Sequence, residues 1–281
     1  NTKLYGTLLK AACWPSLPLE EDDVSIFFDH SKEDFDGRIV GGVNAAEGSW
    51  PWIVGLSTGV WTRSYLCGGS LITQRHILTA AHCVHHVFNR GSLDSSLRAH
   101  VGTNRWNSGG QTVTLQRNIT HPNYVQPTIR NDLSFLITTA NVQLNNQVRT
   151  IPINFDWVGA GVPVRVAGWG RIRVRGAFSN TLLELRLNTF DGSRCVTEVA
   201  RVAAANNIRN VPTVEPHIEL CTFHSTNHGT CHGDSGGPLV RNSNNQQIGL
   251  VSWGLPCARG APDMFVRLSA FRAWIDTALR S

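Results

Sequence analysis

Residues 233–237 of the 281-residue chain read Gly-Asp-Ser-Gly-Gly, and this stretch decides how the rest of the sequence is interpreted. Ser235 is surrounded by glycines, which permit a tight turn and let a carbonyl group approach backbone N–H groups closely. A serine hydroxyl is a weak nucleophile, so it needs a general base beside it. The stretch therefore predicts a nucleophilic serine and directs attention to the histidines of the chain.

Residues 233–237 also match Gly-x-Ser-x-Gly, the nucleophile elbow of the α/β-hydrolases. In that fold the order along the chain is serine, then acid, then histidine. All eleven histidines of this chain precede Ser235, so the α/β-hydrolase interpretation fails on chain order. A base and an acid must be sought upstream.

Two upstream stretches supply a base and an acid. Residues 79–83 read Thr-Ala-Ala-His-Cys and place His82 after an apolar run, and residues 131–136 place Asp132 at the start of another. An imidazole has the right pKa range to take the hydroxyl proton. The order His82, Asp132, Ser235 is that of the chymotrypsin triad.

Five short motifs resemble a zymogen of the chymotrypsin (trypsin-like) family of serine proteases over about residues 38–281. They are Arg-Ile-Val-Gly-Gly at 38–42, Thr-Ala-Ala-His-Cys at 79–83, Asn-Asp-Leu-Ser-Phe-Leu at 131–136, Gly-Asp-Ser-Gly-Gly-Pro at 233–238 and Ser-Trp-Gly at 252–254. The resemblance implies a serine endopeptidase without metal or cofactor, with His82, Asp132 and Ser235 as catalytic residues. It places the oxyanion hole at the backbone N–H groups of Gly233 and Ser235, each worth about 3–4 kcal/mol in such enzymes.

The composition favours a β-rich fold. Hydrophobic residues make up 41% and charged residues 16%, and no apolar run approaches the length of a membrane-spanning helix. Because 26 Gly, 12 Pro and many short β-branched runs alternate, a sandwich or barrel is expected. The resemblance implies two packed, six-stranded antiparallel β-barrels with a C-terminal helix. The expected boundaries are an activation propeptide at 1–38, a peptidase domain at 39–281, barrels at about 39–155 and 156–268, and the helix at about 269–280.

The C-terminal helix is the one helix that periodicity predicts. Phe271, Trp274 and Ile275 recur at three- and four-residue spacing, and Ser269 is expected to cap the segment. The apolar face is expected to pack on the body of the fold. The alternative, a helix lying on a membrane surface, has few flanking bases to support it.

Charge divides the chain into two parts of opposite sign. Residues 1–38 carry 4 basic and 8 acidic residues, whereas residues 39–281 carry 21 basic residues, all of them Arg, and 12 acidic ones. This excess favours acidic partners or serves solubility alone. Arg171, Arg173 and Arg175 occupy a loop that borders the cleft in the family. That loop is expected either to bind anionic polymers or to be an easily nicked surface loop.

Seven cysteines indicate an oxidising compartment. Six of them allow fifteen pairings. The resemblance implies three local bridges: Cys67–Cys83, Cys195–Cys221 and Cys231–Cys257. Cys13 is left without its family partner. The sequon at Asn118 agrees with secretion, and because no apolar signal core follows Asn1, a secreted form is expected to have lost its signal peptide.

The bond between Arg38 and Ile39 resembles the bond that is cut when zymogens of this family are activated. In the family the new α-ammonium, here on Ile39, pairs with the acid before the nucleophile, here Asp234. This pairing orders the oxyanion loop and the specificity pocket. An Arg at the bond implies a trypsin-like activating protease, and protein protease inhibitors are further expected partners.

Three residues are expected to set the specificity pocket. Gly229 stands at the pocket floor, where trypsin-like relatives carry Asp, and Gly254 in the wall leaves room for a large side chain. Asp263 faces the base, where most relatives have Gly, and the combination resembles the serine collagenases (brachyurins), whose specificity is broad. A displaced carboxylate would accept basic side chains while apolar walls accept Leu, Phe or Met. In the alternative, Arg259 or a water neutralises Asp263 and the pocket is chymotrypsin-like.

Two other functions fit the same sequence. A cationic, protease-like binding protein for anionic surfaces would keep the fold with vestigial catalysis. A selective cascade-processing protease would cut few substrates, although residues 1–38 lack the six cysteines of a clip domain. An extracellular location and protein substrates are expected, whereas nucleic acids and membranes are not.

Overall fold

The computed structural model describes residue 39 and residues 41–171, 176–255 and 257–281. These residues form fifteen β-strands and three α-helices. The strands are β1 (Val43–Asn44), β2 (Ile53–Thr58), β3 (Ser64–Leu71), β4 (His76–Thr79), β5 (Phe88–Asn89), β6 (Ser92–Leu93), β7 (Arg98–Val101), β8 (Gln111–Thr120), β9 (Ser134–Thr138), β10 (Pro163–Gly168), β11 (Leu183–Phe190), β12 (Glu219–Phe223), β13 (Pro238–Arg241), β14 (Gln247–Gly254) and β15 (Asp263–Arg267). The helices are α1 (Ala81–His85), α2 (Gly192–Ala205) and α3 (Arg272–Ala278).

Six strands close the first barrel in the order β2-β3-β4-β9-β8-β7, and every neighbouring pair is antiparallel. Strands β4 and β9 pair with Thr79 opposite Ser134. His82 follows the end of β4, and Asp132 precedes the start of β9. Because the two strands are antiparallel, this register brings both residues to the same edge of the barrel.

The second barrel contains β11-β10-β13-β14-β15-β12, and a pairing between β11 and β12 closes it. The short strand β1 adds to the outside of β11. Two closed, six-stranded antiparallel barrels confirm the all-β, chymotrypsin-like fold class. The chain passes from one barrel to the other between Thr138 and Pro163.

Helix α2 (Gly192–Ala205) is absent from the sequence-based prediction. Asp191 caps it, because Oδ1 of Asp191 accepts the N–H of Arg194 at 2.9 Å. Its buried residues belong to a cluster of the second barrel that also contains Trp253. They are Cys195, Val199, Val202 and Ala203. The aspartate cap and this spacing are the signals that would have located the helix.

The C-terminal segment is helical, but it does not begin as expected. A 3-10 turn spans Leu268–Phe271 and α3 follows it, so Ser269 lies inside the turn and caps nothing. The turn begins at Leu268, one residue before the predicted helix start at 269, because the fully buried side chain of Leu268 packs in the hydrophobic cluster of the first barrel. Trp274 stacks on Phe135 at 5.6 Å between ring centroids, so the apolar face packs on the first barrel.

Three disulfides join described residues, and they are the pairs that the resemblance implies: Cys67–Cys83, Cys195–Cys221 and Cys231–Cys257. The first connects β3 to α1, next to the cleft between the barrels. Cys13 lies outside the described residues. In the part of the chain that the structure describes, no helix has the length and apolar character needed to cross a membrane.

Candidate active site

His82 and Asp132 meet at the edge of the first barrel. The Nδ1 atom of His82 lies 2.8 Å from Oδ2 of Asp132, and the backbone N–H of His82 donates to Oδ1 at 2.8 Å. Both side chains are buried. Because an ionised carboxylate can only accept, Nδ1 carries the proton of the neutral imidazole and Nε2 keeps a lone pair.

Ser252 holds the same carboxylate from the other barrel. Its hydroxyl donates to Oδ2 of Asp132 at 2.6 Å, across 120 positions of sequence. Asp132 thus accepts three hydrogen bonds, and together they fix its orientation against the imidazole. The motif Ser-Trp-Gly at 252–254 gives no local indication of this role for Ser252.

Ser235 lies in a turn that depends on glycine. Gly233 has φ of +94° and Gly236 has φ of +80°, where other residues are strained. A Cβ on Gly236 would lie 2.5 Å from the carbonyl oxygen of Gly68 in β3. The N–H of Gly68 in turn donates to the carbonyl of Ser235 at 2.8 Å. The turn that contains Ser235 therefore packs directly against the first barrel.

The disulfide Cys67–Cys83 lies between His82 and Ser235. The Sγ atom of Cys83 is 3.6 Å from Nε2 of His82 and 3.8 Å from the carbonyl oxygen of Ser235. Donor atoms of Cys67, His82 and Cys83 lie within 4.8 Å of one another, but the two sulfurs are bonded together and offer no thiolate to a metal. His82, Gly233 and Ser235 line one cleft of about 360 Å³, and residues of both barrels form its walls.

Asp234 points away from this cleft and is fully buried. Its Oδ1 accepts the N–H of Gly170 at 2.9 Å, and its Oδ2 accepts the N–H of Cys231 at 3.0 Å. Burial raises the pKa of Asp234 to about 7, although these two hydrogen bonds favour the charged form. A buried carboxylate of this kind is a suitable partner for a cation.

Ile39 is fully buried in an apolar cluster of the second barrel. Gly42 donates its N–H to the carbonyl of Ile39 at 2.6 Å, and Gly41 has φ of +81°, so the chain turns sharply here. The imidazole of His228 packs against this turn, since a Cβ on Gly41 would lie 2.6 Å from its Nε2. Arg38 lies outside the described residues.

Asp263 lies between the two glycines that are expected to shape the pocket. Its carboxylate would be 2.7 Å from a Cβ on Gly229 and 2.9 Å from one on Gly254, so both positions need glycine. The N–H of Thr230 donates to Oδ2 at 2.6 Å, and burial raises the pKa of Asp263 to about 7. Gly254 lines the cleft, whereas Gly229 and Asp263 lie behind its wall. Among the described residues, Arg259 makes no ion pair with Asp263.

The remaining predicted residues are the asparagine of the sequon and the arginines of the loop that follows Gly170. Asn118 lies in β8 and donates its side-chain N–H to the threonine hydroxyl of its own sequon at 2.9 Å. Arg171 lines the cleft, with its guanidinium 5.1 Å from the ring centroid of Phe178. Arg173 and Arg175 are not among the described residues, so binding of anionic polymers stays a prediction.

Comparison with known proteins agrees with this geometry. The Trypsin family model matches residues 39–275. Chymotrypsin-2 of Vespa crabro is 32% identical over 85% of this chain and 98% of its own length. Kallikrein-14 of Homo sapiens is 31% identical over 97% of this chain and 98% of its own, and trypsin alpha-4 of Lucilia cuprina is 30% identical over 88% and 89%. The chain therefore belongs to the trypsin family, and it is a serine endopeptidase.

Proposed function

We propose that this endopeptidase is a secreted zymogen that is activated by cleavage of the Arg38–Ile39 bond and hydrolyses proteins through an acyl-enzyme on Ser235. One observation carries the proposal: an imidazole held by Asp132 opens into the cleft that Ser235 also lines. The three disulfides and the sequon at Asn118 support secretion.

In the acylation step, Nε2 of His82 takes the proton of the Ser235 hydroxyl while its oxygen attacks the substrate carbonyl carbon. The tetrahedral intermediate collapses, the peptide bond breaks, and His82 gives the proton to the leaving amine. Water then repeats the sequence on the acyl-enzyme and releases the acid. Asp132 keeps the imidazole in the required tautomer and stabilises its cationic form.

The backbone N–H groups of Gly233 and Ser235 would stabilise the oxyanion. Both residues line the cleft, and the φ of +94° at Gly233 directs the peptide groups of this turn. A Cβ on Gly233 would come within 2.7 Å of the Phe178 ring, so a substitution would displace the donors. Loss of one such donor typically costs about 3–4 kcal/mol of transition-state stabilisation.

The pocket supports a broad P1 preference that includes basic and large apolar side chains. The described wall contains Val251, Trp253 and Gly254, which suit an apolar side chain. Asp263 lies behind Gly254, and no arginine among the described residues neutralises it. A guanidinium or ammonium that passes Gly254 would meet this carboxylate from the side. This arrangement resembles that of the serine collagenases.

Activation would work through Asp234 and the new N-terminus. Gly168 packs directly on Asp234, and Gly168 and Asn44 both pair with Leu183, so the segment after Ile39 reaches the same end of the second barrel. An α-ammonium there would satisfy a buried carboxylate that otherwise favours its neutral form. Because a buried ion pair repays its desolvation only with good geometry, its role is that of a switch rather than a stabiliser.

The test is covalent labelling of Ser235. The purified chain is cleaved at Arg38 with a trypsin-like protease and treated with an organophosphorus serine reagent, and the adduct is located by mass spectrometry. We expect rapid labelling after cleavage and much slower labelling before it. His82→Ala should abolish labelling, whereas His85→Ala, on the same short helix, should not.

Two outcomes would count against the proposal, and each refutes a different part. A cleaved wild type that forms no adduct would refute the acyl-enzyme mechanism. Equal labelling rates before and after cleavage would refute only the zymogen, because the catalytic group would then be competent in the intact chain.

A further inference from the structure

Glu219 is a buried carboxylate that the mechanism above does not use. It begins β12, is 7% exposed and lies behind Trp253, which lines the cleft. Its Oε1 accepts the indole N–H of Trp253 at 2.7 Å, and its Oε2 accepts the backbone N–H of Glu215 at 2.6 Å. Both carboxylate oxygens are therefore engaged, and one of them holds a wall of the substrate cleft.

Trp253 lies in β14 between two residues of the site. On one side, Ser252 donates to Asp132; on the other, Gly254 lines the cleft and packs on Asp263. The indole is 3% exposed and has a single donor, so packing and this bond fix its position. Because Ser252, Trp253 and Gly254 are consecutive in β14, a shift of the indole would also shift the two residues beside it.

The surroundings of Glu219 do not favour a charge. The charged or titratable groups near it are Glu215, Asp132, Arg130, His217 and Arg267. Burial, together with the charges of Glu215 and Asp132, raises the pKa of Glu219 to about 7. Arg130 pairs with Glu215. Arg267 donates to the backbone carbonyls of Pro216, Glu219 and Val158, and not to the carboxylate of Glu219. In the described part of the chain, Glu219 itself makes no ion pair.

We propose that Glu219 is a positioning residue for catalysis: by accepting the indole N–H of Trp253, it holds the cleft wall and, through Ser252, the carboxylate of Asp132. An apolar side chain of similar size would fill the same volume without the cost of desolvating a carboxylate. Packing alone therefore does not account for an acid at this position, whereas the two hydrogen bonds do.

The test is a double-mutant cycle on the activated enzyme, with each kcat and KM referred to active sites counted by titration. Glu219→Met keeps the length of the side chain and removes the acceptor, and we expect kcat/KM to fall about tenfold, the size of one buried hydrogen bond. Trp253→Phe removes the donor. In that background Glu219→Met should cause no further loss, because the bond is already gone.

Two comparisons separate positioning from simple structural support. Glu219→Gln keeps an oxygen for the indole N–H and should stay within about threefold of the wild type. Glu184 accepts the indole N–H of Trp50 at 2.7 Å away from the cleft, so Glu184→Met is a matched control that should leave kcat/KM unchanged. The melting temperature of Glu219→Met is expected to fall, because the indole N–H of Trp253 and the backbone N–H of Glu215 lose their buried acceptor. Counting active sites by titration keeps this loss of stability out of kcat/KM.

The inference rests on the catalytic roles proposed above, and its failure is distinguishable from theirs. An activated wild type without turnover would refute those roles. An active wild type whose Glu219→Met variant is equally active, or loses activity equally with and without Trp253, would refute only the role of Glu219. If Glu219→Met does not fold, the cycle is run with Glu219→Leu, which also lacks an acceptor, and a loss that persists undiminished without Trp253 overturns the proposal.

Discussion

Raising the pH from 6 to 8 is expected to shift the cleavage preference of the activated enzyme towards basic P1 side chains. Asp263 lies behind the pocket wall, and burial raises its pKa to about 7. Only the ionised carboxylate attracts an Arg side chain, whereas a Leu side chain gains nothing from the charge. The two substrates should therefore respond differently to the same change of pH.

The size of the shift follows from the pKa of Asp263. With a pKa of about 7, the ionised fraction rises from about 9% at pH 6 to about 91% at pH 8, a tenfold change. The value of kcat/KM reports ionisations of the free enzyme. Ionisation of groups that do not contact the P1 side chain affects both substrates equally and cancels in their ratio. We therefore expect kcat/KM for Arg, divided by that for Leu, to rise about tenfold.

The assay compares two peptides that differ only at P1, at constant ionic strength. Asp263→Asn is the control, because its amide oxygen can still accept the N–H of Thr230 but cannot ionise. In this variant the ratio should be low and independent of pH. A flat ratio in the wild type, or the same rise in the variant, would refute the proposed role of Asp263.

Three further predictions concern the turn, the triad and stability. In Gly41→Ala the added Cβ would clash with the imidazole of His228, so active-site titration after activation cleavage should find few active sites. Gly48→Ala is the control: Gly48 has φ of +70°, but a Cβ there meets open space, so this variant should activate normally. Equal numbers of active sites in the two variants would contradict the reasoning. Ser252→Ala removes one of the three hydrogen-bond donors to Asp132, so kcat measured in steady-state assays should fall about tenfold. A change in KM alone would contradict this prediction. Because the folded pKa of Asp263 is raised, its stabilising contribution is complete below about pH 4 and is lost as the pH rises through about 7. In urea unfolding, the free energy of unfolding of the wild type should therefore fall by about 2–3 kcal/mol more than that of Asp263→Asn between pH 5 and pH 8. An equal fall in the wild type and the variant would contradict this prediction.

The fold class was predictable because the decisive motifs lie at the ends of strands. His82 follows β4 and Asp132 precedes β9, so local sequence already specified which strand ends had to meet. Helix α2 was missed because its buried stripe consists only of Cys, Val and Ala, and the β-branched valines favour strands over helices by propensity. Ser269 misled the prediction of the helix start, because burial of Leu268 outweighs the capping preference of a serine.

The supporting residues of the site were harder to predict, for a physical reason. Ser252 bonds a residue 120 positions away, and Glu219 bonds one 34 positions away. Hydrogen bonds of this kind depend on how two barrels and their strands are placed, and no local pattern encodes that placement. No motif in the sequence singles out Glu219. Only its burial and its partner distinguish it.

The hydrogen bond from Gly68 to the carbonyl of Ser235 crosses the boundary between the barrels. Ser235 and His82, the proposed proton donor and acceptor, therefore belong to separately closed barrels, and no sheet of the described residues runs through both. A displacement of one barrel relative to the other by a fraction of an ångström would impair proton transfer, although the hydrogen bonds between strands within each barrel would stay intact. The rate of hydrolysis should therefore respond to small changes in how the two barrels pack together that spectroscopic measures of folding do not detect.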